Sequence, residues 1–335
     1  MSLNRNLLSL TGAAALLATQ AVSAAALDPN AMRAQANNFF KPLPATMPGS
    51  EKDTPAKIAL GEKLYFETAL SINGTQSCNT CHRIDGKLGG DDGNPVSPGA
   101  IEGKFGDRNS PTSWNAGFHL AQFWDGRAAD LKEQAKGPIL NPVEMAIPDE
   151  ATAVSNLKKA GYEADFKAVF GSADALTYDN VAEAIAAFER TLITKDRFDD
   201  FLKGDNKALT QAELQGMQDF ISTGCIACHT GPLLGGHMYQ KMGLVKPYPN
   251  TADKGRFAVT NNPADMYVFK VPALRDIGST APYFHDGKAA TLDVAVKEMA
   301  MYQLGRELDE KTTKSIVAFL RAMDNQRELK LTANK

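Results

Sequence analysis

The pentapeptide Cys-X-X-Cys-His occurs twice, as Cys78-Asn79-Thr80-Cys81-His82 and Cys225-Ile226-Ala227-Cys228-His229, and the two copies use all four cysteines of the 335-residue chain. In this pattern both thiols form thioethers to porphyrin vinyl groups and the adjacent imidazole becomes an iron ligand. A redox-active dithiol has no need of the trailing histidine, and a zinc site would use the thiolates themselves as ligands. The sequence therefore reads as a carrier of two covalently bound haem c groups, with zinc or disulfide chemistry as the weaker alternatives. Cys78 and Cys225 lie 147 residues apart, a spacing that suits one haem in each of two domains.

Residues 1–24 read as a secretory signal: Arg5 at the start, an apolar run from Leu7 to Ala18, and the small-residue cleavage site Val22-Ser23-Ala24. A membrane anchor needs about 20 uninterrupted apolar residues, and Thr19 and Gln20 cut the run short. Export agrees with the cysteines, because covalent haem attachment takes place outside the bacterial cytoplasm. The mature chain is thus expected in the periplasm with no membrane span left. Loss of Arg5 takes the formal net charge from −3 to −4, and no Lys/Arg run is present, which argues against nucleic acid as a partner.

Helical spacing dominates the mature chain. Thr54-Pro55 has the form of a cap and first helical residue, leading into Ile58, Leu60, Leu64 and Phe66. Thr210 and Glu213 have capping-box spacing and open an apolar face of Leu214, Met217 and Ile221 that ends near Gly224. Val181, Ile185, Phe188 and Leu192 make a further stripe, as do Ile316, Phe319, Leu320 and Met323. No stretch alternates with the period of a strand. Long glycine- and proline-rich connections run from Gly86 to Ser113, Gly231 to Pro249 and Asn261 to Gly287, and loops of that length are organised around something other than secondary structure. No repeat longer than the haem motif and its surroundings is evident. The boundary between a 25–195 domain and a 196–335 domain falls in the charged, glycine-containing stretch Thr194 to Asn206.

Beyond the haem motifs, Phe123-Trp124-Asp125-Gly126-Arg127-Ala128, Glu133-Gln134-Ala135-Lys136-Gly137-Pro138, Asn141-Pro142-Val143-Glu144-Met145, Phe269-Lys270-Val271-Pro272-Ala273-Leu274-Arg275 and Ala281-Pro282-Tyr283-Phe284-His285-Asp286-Gly287 occur in order. This set, spread over nearly all of the mature chain, resembles the bacterial dihaem cytochrome c peroxidase family. The resemblance implies a mainly α fold of two cytochrome c-like haem domains with long haem-wrapping loops. It implies reduction of hydrogen peroxide with electrons from a small cytochrome c or cupredoxin, and relatives are often homodimers.

Carried over residue by residue, the resemblance makes His82 and His229 the proximal iron ligands. It makes Met299, 14 residues after His285, the thioether ligand of an electron-accepting C-terminal haem, with Met301 as the nearby competitor. Glu144 and Gln134 match the peroxide-pocket residues, Glu144 to move protons and Gln134 to donate a hydrogen bond. Trp124 matches a tryptophan lying between the haems. Asn109, with the carbonyls of Thr280 and Pro282, matches an interdomain calcium site completed by water.

One departure stands out. Many members carry a histidine in the loop after the first haem motif that ligates the oxidised N-terminal iron, and here residues 86–108 contain none; Ala100 or a neighbour takes its place. His119, His237 and His285 read as structural or propionate-contacting. Two other functions compete. A relative that oxidises tryptophan residues on a partner protein has tyrosine where Met299 stands, and a plain dihaem electron carrier would need both irons closed.

Overall fold

A computed structural model describes residues 26–85 and 89–331; the proposed signal segment, residues 1–24, lies outside the described residues. The fold is mainly helical. Its framework is two helix crossings. The helix Pro55–Tyr65 packs across Tyr178–Glu189, and the helix Gln211–Thr223 packs across Glu310–Arg321. The caps are those the sequence signals: Thr54 Oγ1 accepts from Lys57 N at 3.2 Å, Thr210 and Glu213 cap each other, and Gly224 ends its helix at φ 102°.

Both crossings close on a glycine. A Cβ on Gly61 would overlap the Ala184 carbonyl oxygen and crowd Phe188 Cβ; a Cβ on Gly216 would overlap the Ser315 carbonyl oxygen and crowd Phe319 Cβ. In each case the helix after the glycine leads toward a haem motif, Cys78–Cys81 being a short helix and Cys225–Ala227 a 3-10 turn.

The halves correspond further. Gln122 N donates to Ala128 O and Tyr283 N to Ala289 O, each at 2.8 Å. Phe123 and Phe284 share positive φ (65° and 72°), as do Gly126 and Gly287 (69° and 61°). Helices Leu131–Leu140 and Leu292–Leu304 follow these turns, capped by Asp130 and Thr291. The repeat therefore spans most of each half, which corrects the reading that it stops near the haem motif: the two turns share Phe, Asp, Gly and Ala at matching places, from Phe123 to Ala128 and from Phe284 to Ala289.

A second difference concerns strands. Tyr239–Lys241 pairs antiparallel with Val268–Lys270, three residues each and too short for an alternating pattern to register. The long connections are irregular as expected; among the described residues no helix or strand lies between Cys81 and Ala116.

Two large cores result. One joins Leu60, Leu64, Ile139, Phe166 and Ile185; the other joins Phe198, Phe201, Met217, Phe220 and Phe319. Met32, Ala36 and Phe40, from and just after the helix Pro29–Ala36, belong to the second, so the start of the described chain straps the C-terminal core. Arg275 is fully buried there. Its Nη1 bonds Asp196 at 2.7 and 2.8 Å, Nη2 meets Asp199 at 2.8 Å, and Nε donates to Pro232 O at 2.9 Å.

The glycine crossings set a test. Gly216→Ala should lose about 1–3 kcal/mol of unfolding free energy, because the added methyl must push a backbone carbonyl away. Chemical denaturation followed by circular dichroism measures this, and an unchanged midpoint would show that the helices are not in contact there.

Candidate functional site

Each motif histidine is held by its own loop. His82 Nδ1 lies 2.9 Å from Pro111 O and His229 Nδ1 lies 2.8 Å from Leu234 O. A carbonyl at Nδ1 fixes the proton there, aims the ring, and leaves Nε2 free to bind a metal. Burial lowers the pKa of both, that of His229 to about 4, so both imidazoles are neutral and ready to ligate. No disulfide joins the four cysteines, and burial pushes the Cys81 thiol up to about 11 and that of Cys225 to about 12.

The first motif opens on a cavity of about 800 Å³. Cys78, Cys81 and His82 line it, and so do Trp124, Gln134, Glu144 and Asn109, which come from four separate stretches of chain. A volume of that order with an imidazole and two thiols at its edge fits a porphyrin.

Glu144 sits in the turn after the Leu131–Leu140 helix, where Asn141 Nδ2 donates to its Oε1 at 2.8 Å. Burial raises the Glu144 carboxyl above its ordinary range, and the Arg127 charge and the Asn141 bond pull in the opposite direction. Arg127 itself lies over the Phe123 ring, 3.4 Å from its centroid, and reaches Asp125 at 3.1 Å. Gln134 is on that helix, half-buried. Trp124 Nε1 donates to Asn109 O at 2.9 Å, and the Trp124 ring meets the His285 ring edge-on at 6.4 Å between centroids.

The histidine-free loop is anchored beside Glu144. Ala100 N donates to Glu144 O at 2.7 Å, Gly106 N donates to Ser97 O at 2.9 Å, and Ala100 is buried. Glu102 and Lys104 are exposed. Of the other histidines, His237 is engaged at both nitrogens by Gly235 O and Thr230 Oγ1. His119 Nδ1 faces Lys270 Nζ at 2.9 Å, and His285 stacks on Phe269 at 4.2 Å.

Around the second motif, Cys225 and Ile226 pack in one core with Leu292 and Ala295 of the helix that carries Met299. Met299 is half-buried, whereas the Met301 sulfur lies 2.9 Å from Lys246 Nζ at the surface. Asn109 N donates to His285 O at 2.9 Å and Asn109 Nδ2 to Asn94 O at 3.0 Å, which leaves its Oδ1 to accept. The Thr280 and Pro282 carbonyls accept no hydrogen bond from described residues.

Sequence reasoning assigned no role to Arg127 or Asn141, although both lie in quoted motifs. It missed Glu189 altogether: this acid lines the cavity with Oε2 unpartnered, and burial pushes it up to about 8.

Two carbonyl-oriented histidines, each following a Cys-X-X-Cys pair in a duplicated helical frame, define a di-haem protein. A family model described as di-haem cytochrome c peroxidase matches residues 55–207. The chain is 47% identical to the cytochrome c551 peroxidase of Nitrosomonas europaea over 86% of this chain and 84% of the relative, and 44% identical to that of Pseudomonas aeruginosa over 89% and 87%. Among solved structures it is similar to a MauG-like protein associated with microbial copper homeostasis, with TM-score 0.75 and 26% identity over 85% of this chain and 94% of that one. The chain belongs to the di-haem cytochrome c peroxidase family. It is an oxidoreductase acting on hydrogen peroxide, with two haem cofactors.

The electrostatics predict the acid limb of the pH–rate profile. A base must be ionised, so if Glu144 is that base, activity is present above its pKa and falls as pH drops through it. Arg127→Leu removes a charge that lowers that pKa, and the limb should move to higher pH, while Arg127→Lys keeps it near its place. Steady-state kcat/KM against pH decides; a limb unmoved in the leucine variant would detach Arg127 from Glu144.

Proposed function

We propose that the chain is a periplasmic peroxidase whose N-terminal haem, bound through Cys78, Cys81 and His82, reduces hydrogen peroxide to water. The C-terminal haem, bound through Cys225, Cys228, His229 and Met299, receives electrons from a small cytochrome c or cupredoxin. The observation that carries this reading is the convergence of Glu144, Gln134 and Trp124 on the cavity that begins at the first haem motif.

Haem supplies the iron that binds peroxide and the electrons that break its O–O bond. Glu144 does the proton work: its carboxylate takes the proton from one peroxide oxygen and returns it to the departing one, which leaves as water. Asn141 holds the carboxylate in position, and Gln134 donates to the oxygen that gains charge. Trp124, bonded to Asn109 O and in contact with His285, lies on the electron route between the halves. Met299 is preferred to Met301 because Lys246 already occupies the latter's sulfur; a thioether raises the potential of its haem.

The domain division at 195/196, the homodimer and export rest on the sequence reading and the resemblance. Among the described residues no helix is long and apolar enough to cross a membrane. A calcium ion between the halves would be held by Asn109 Oδ1 and the Thr280 and Pro282 carbonyls, with water completing the shell; the free acceptors at these three residues support it.

Glu144→Gln keeps shape and loses the base. It should retain both haem spectra while peroxide turnover falls about 100-fold or more. Near-normal turnover would remove Glu144 from the mechanism.

The loop predicts the resting state. Ala100 is bonded to the Glu144 backbone, Lys104 and Glu102 are exposed, and the loop's residues at the cavity wall are Ser97, Pro98, Gly106, Asp107 and Arg108. Among the described residues the loop brings no imidazole or thioether to the peroxide side, and on this reading the competent state is populated before reduction. Stopped-flow mixing of the fully oxidised protein with cyanide should give prompt binding. Binding that waits for one-electron reduction would overturn the open resting site.

A further inference from the structure

The peroxidase chemistry makes no use of Asp91, a buried acid on the strip where the two halves meet. Asp91 is 1% exposed, and neither of its carboxylate oxygens has a well-formed hydrogen-bond partner, the nearest donors being the backbone N–H groups of Gly93 and of Asp91 itself. A carboxylate taken out of water without a donor or a cation is among the costliest arrangements a fold can hold, and buried charges are paired or bound to metal.

Its position is fixed from both sides. A Cβ on Gly89 would stand 2.7 Å from Thr280 Cγ2 and 2.9 Å from Ser279 Cβ, so the chain entering Asp91 lies directly on residues 279–280. Gly287 packs against the backbone of Pro95 with no room for a side chain. Arg83 N donates to Asp91 O at 3.2 Å, and Asn109 ties Asn94 O to His285 O. Residues 89–95 are therefore laid along residues 276–287, and Asp91 shares that strip with Asn109 and with the carbonyls of Thr280 and Pro282. The charge of Asp91 is felt at Tyr283, one residue past Pro282.

The surroundings are short of positive charge. Asp276 is buried beside Asp91 and spends its Oδ1 on Ser279 Oγ (2.8 Å) and Asn325 N (2.9 Å). Asp92 adjoins on the other side and spends its Oδ1 on Asn94 N. Among the described residues no Lys or Arg pairs with Asp91.

We propose that Asp91 is an anionic member of the cation site at this seam, joining the neutral oxygens of Asn109, Thr280 and Pro282 either directly or through one bound water. This rests on the calcium reading above and deepens it. Calcium takes six to eight oxygens, and its affinity rises with the number of charged ligands and the rigidity of their frame. Asp91 supplies the first, and its clamped backbone the second.

The test uses the haem-loaded protein, stripped with EGTA and desalted, titrated with calcium chloride in a calorimeter. Asp91→Asn should weaken calcium binding about 10-fold or more. It should also raise the melting temperature of the calcium-free protein, since the uncompensated charge is gone. Asp92→Asn, at the neighbouring acid whose Oδ1 already accepts from Asn94 N, should stay within about threefold of the parent. Tight binding by the parent with Asp91→Asn unchanged would overturn this inference and spare the calcium site; absence of binding by the parent would overturn both. Equal weakening by the two variants would mean that Asp91 acts through long-range charge and is not a ligand.

Discussion

The glycine-gated contact between helices is the constraint from which the rest of the molecule hangs. At Gly61 and again at Gly216 a helix lies so close to its partner that only hydrogen fits between them. That proximity fixes the line along which the chain enters each Cys-X-X-Cys-His turn. It also places Ile185 and Glu189, on the partner helix of the first crossing, at the wall of the cavity. Ridge-into-groove packing at normal separation would leave a wider gap and a less defined entry. Ligand orientation by the Pro111 and Leu234 carbonyls is useful only because the turns themselves are already so positioned.

One scaffold used twice makes the difference between the halves easy to locate. Trp124 and His285 hold matching places in the two Phe-X-Asp-Gly turns, and they touch across the seam. After those turns, each half runs a helix past its haem motif. The first leads into Asn141 and Glu144, a bonded pair suited to handling protons; the second carries Met299 on its buried side. On the proposed reading, chemistry and electron entry are divided by the residues placed downstream of one repeated turn. Arg275 secures the second half from within: its buried guanidinium holds Asp196, Asp199 and the Pro232 carbonyl. Removing one side of such a group leaves the other charged and dry, so its value is in fixing geometry more than in net stability.

What was legible in the sequence was local. Thr54, Thr210 and Gly224 act through atoms three or four residues away, and the haem motifs are complete within five residues. The Asn141–Glu144 bond spans three residues and could have been read from its motif. The repeat was partly legible, since Phe-X-Asp-Gly-X-Ala occurs at 123–128 and again at 284–289; the rest of it resides in contact geometry at Gly61 and Gly216, which no local pattern marks. Asp91 and Glu189 were invisible for a different reason: an isolated acidic residue reads as solvated surface, and only the packing of distant segments reveals that water has been excluded from it. The paired strands were hidden by their brevity. The packing of Met32, Ala36 and Phe40 on residues beyond 197 has no local signature at all.

That last contact has a consequence for how the chain reaches its final form. Leu27 N bonds the Gln211 side chain across 184 positions, and Arg33 Nε bonds Phe201 O across 168. The C-terminal core cannot be finished by its own residues; it waits for a strap made first and delivered last. Closing so long a loop costs little more than closing one of half the length, since the entropy grows only with the logarithm of its size. The cost is one of time: contacts so distant in sequence form late and slowly. During that interval the apolar groove meant for Phe40 stands open beside the second haem turn.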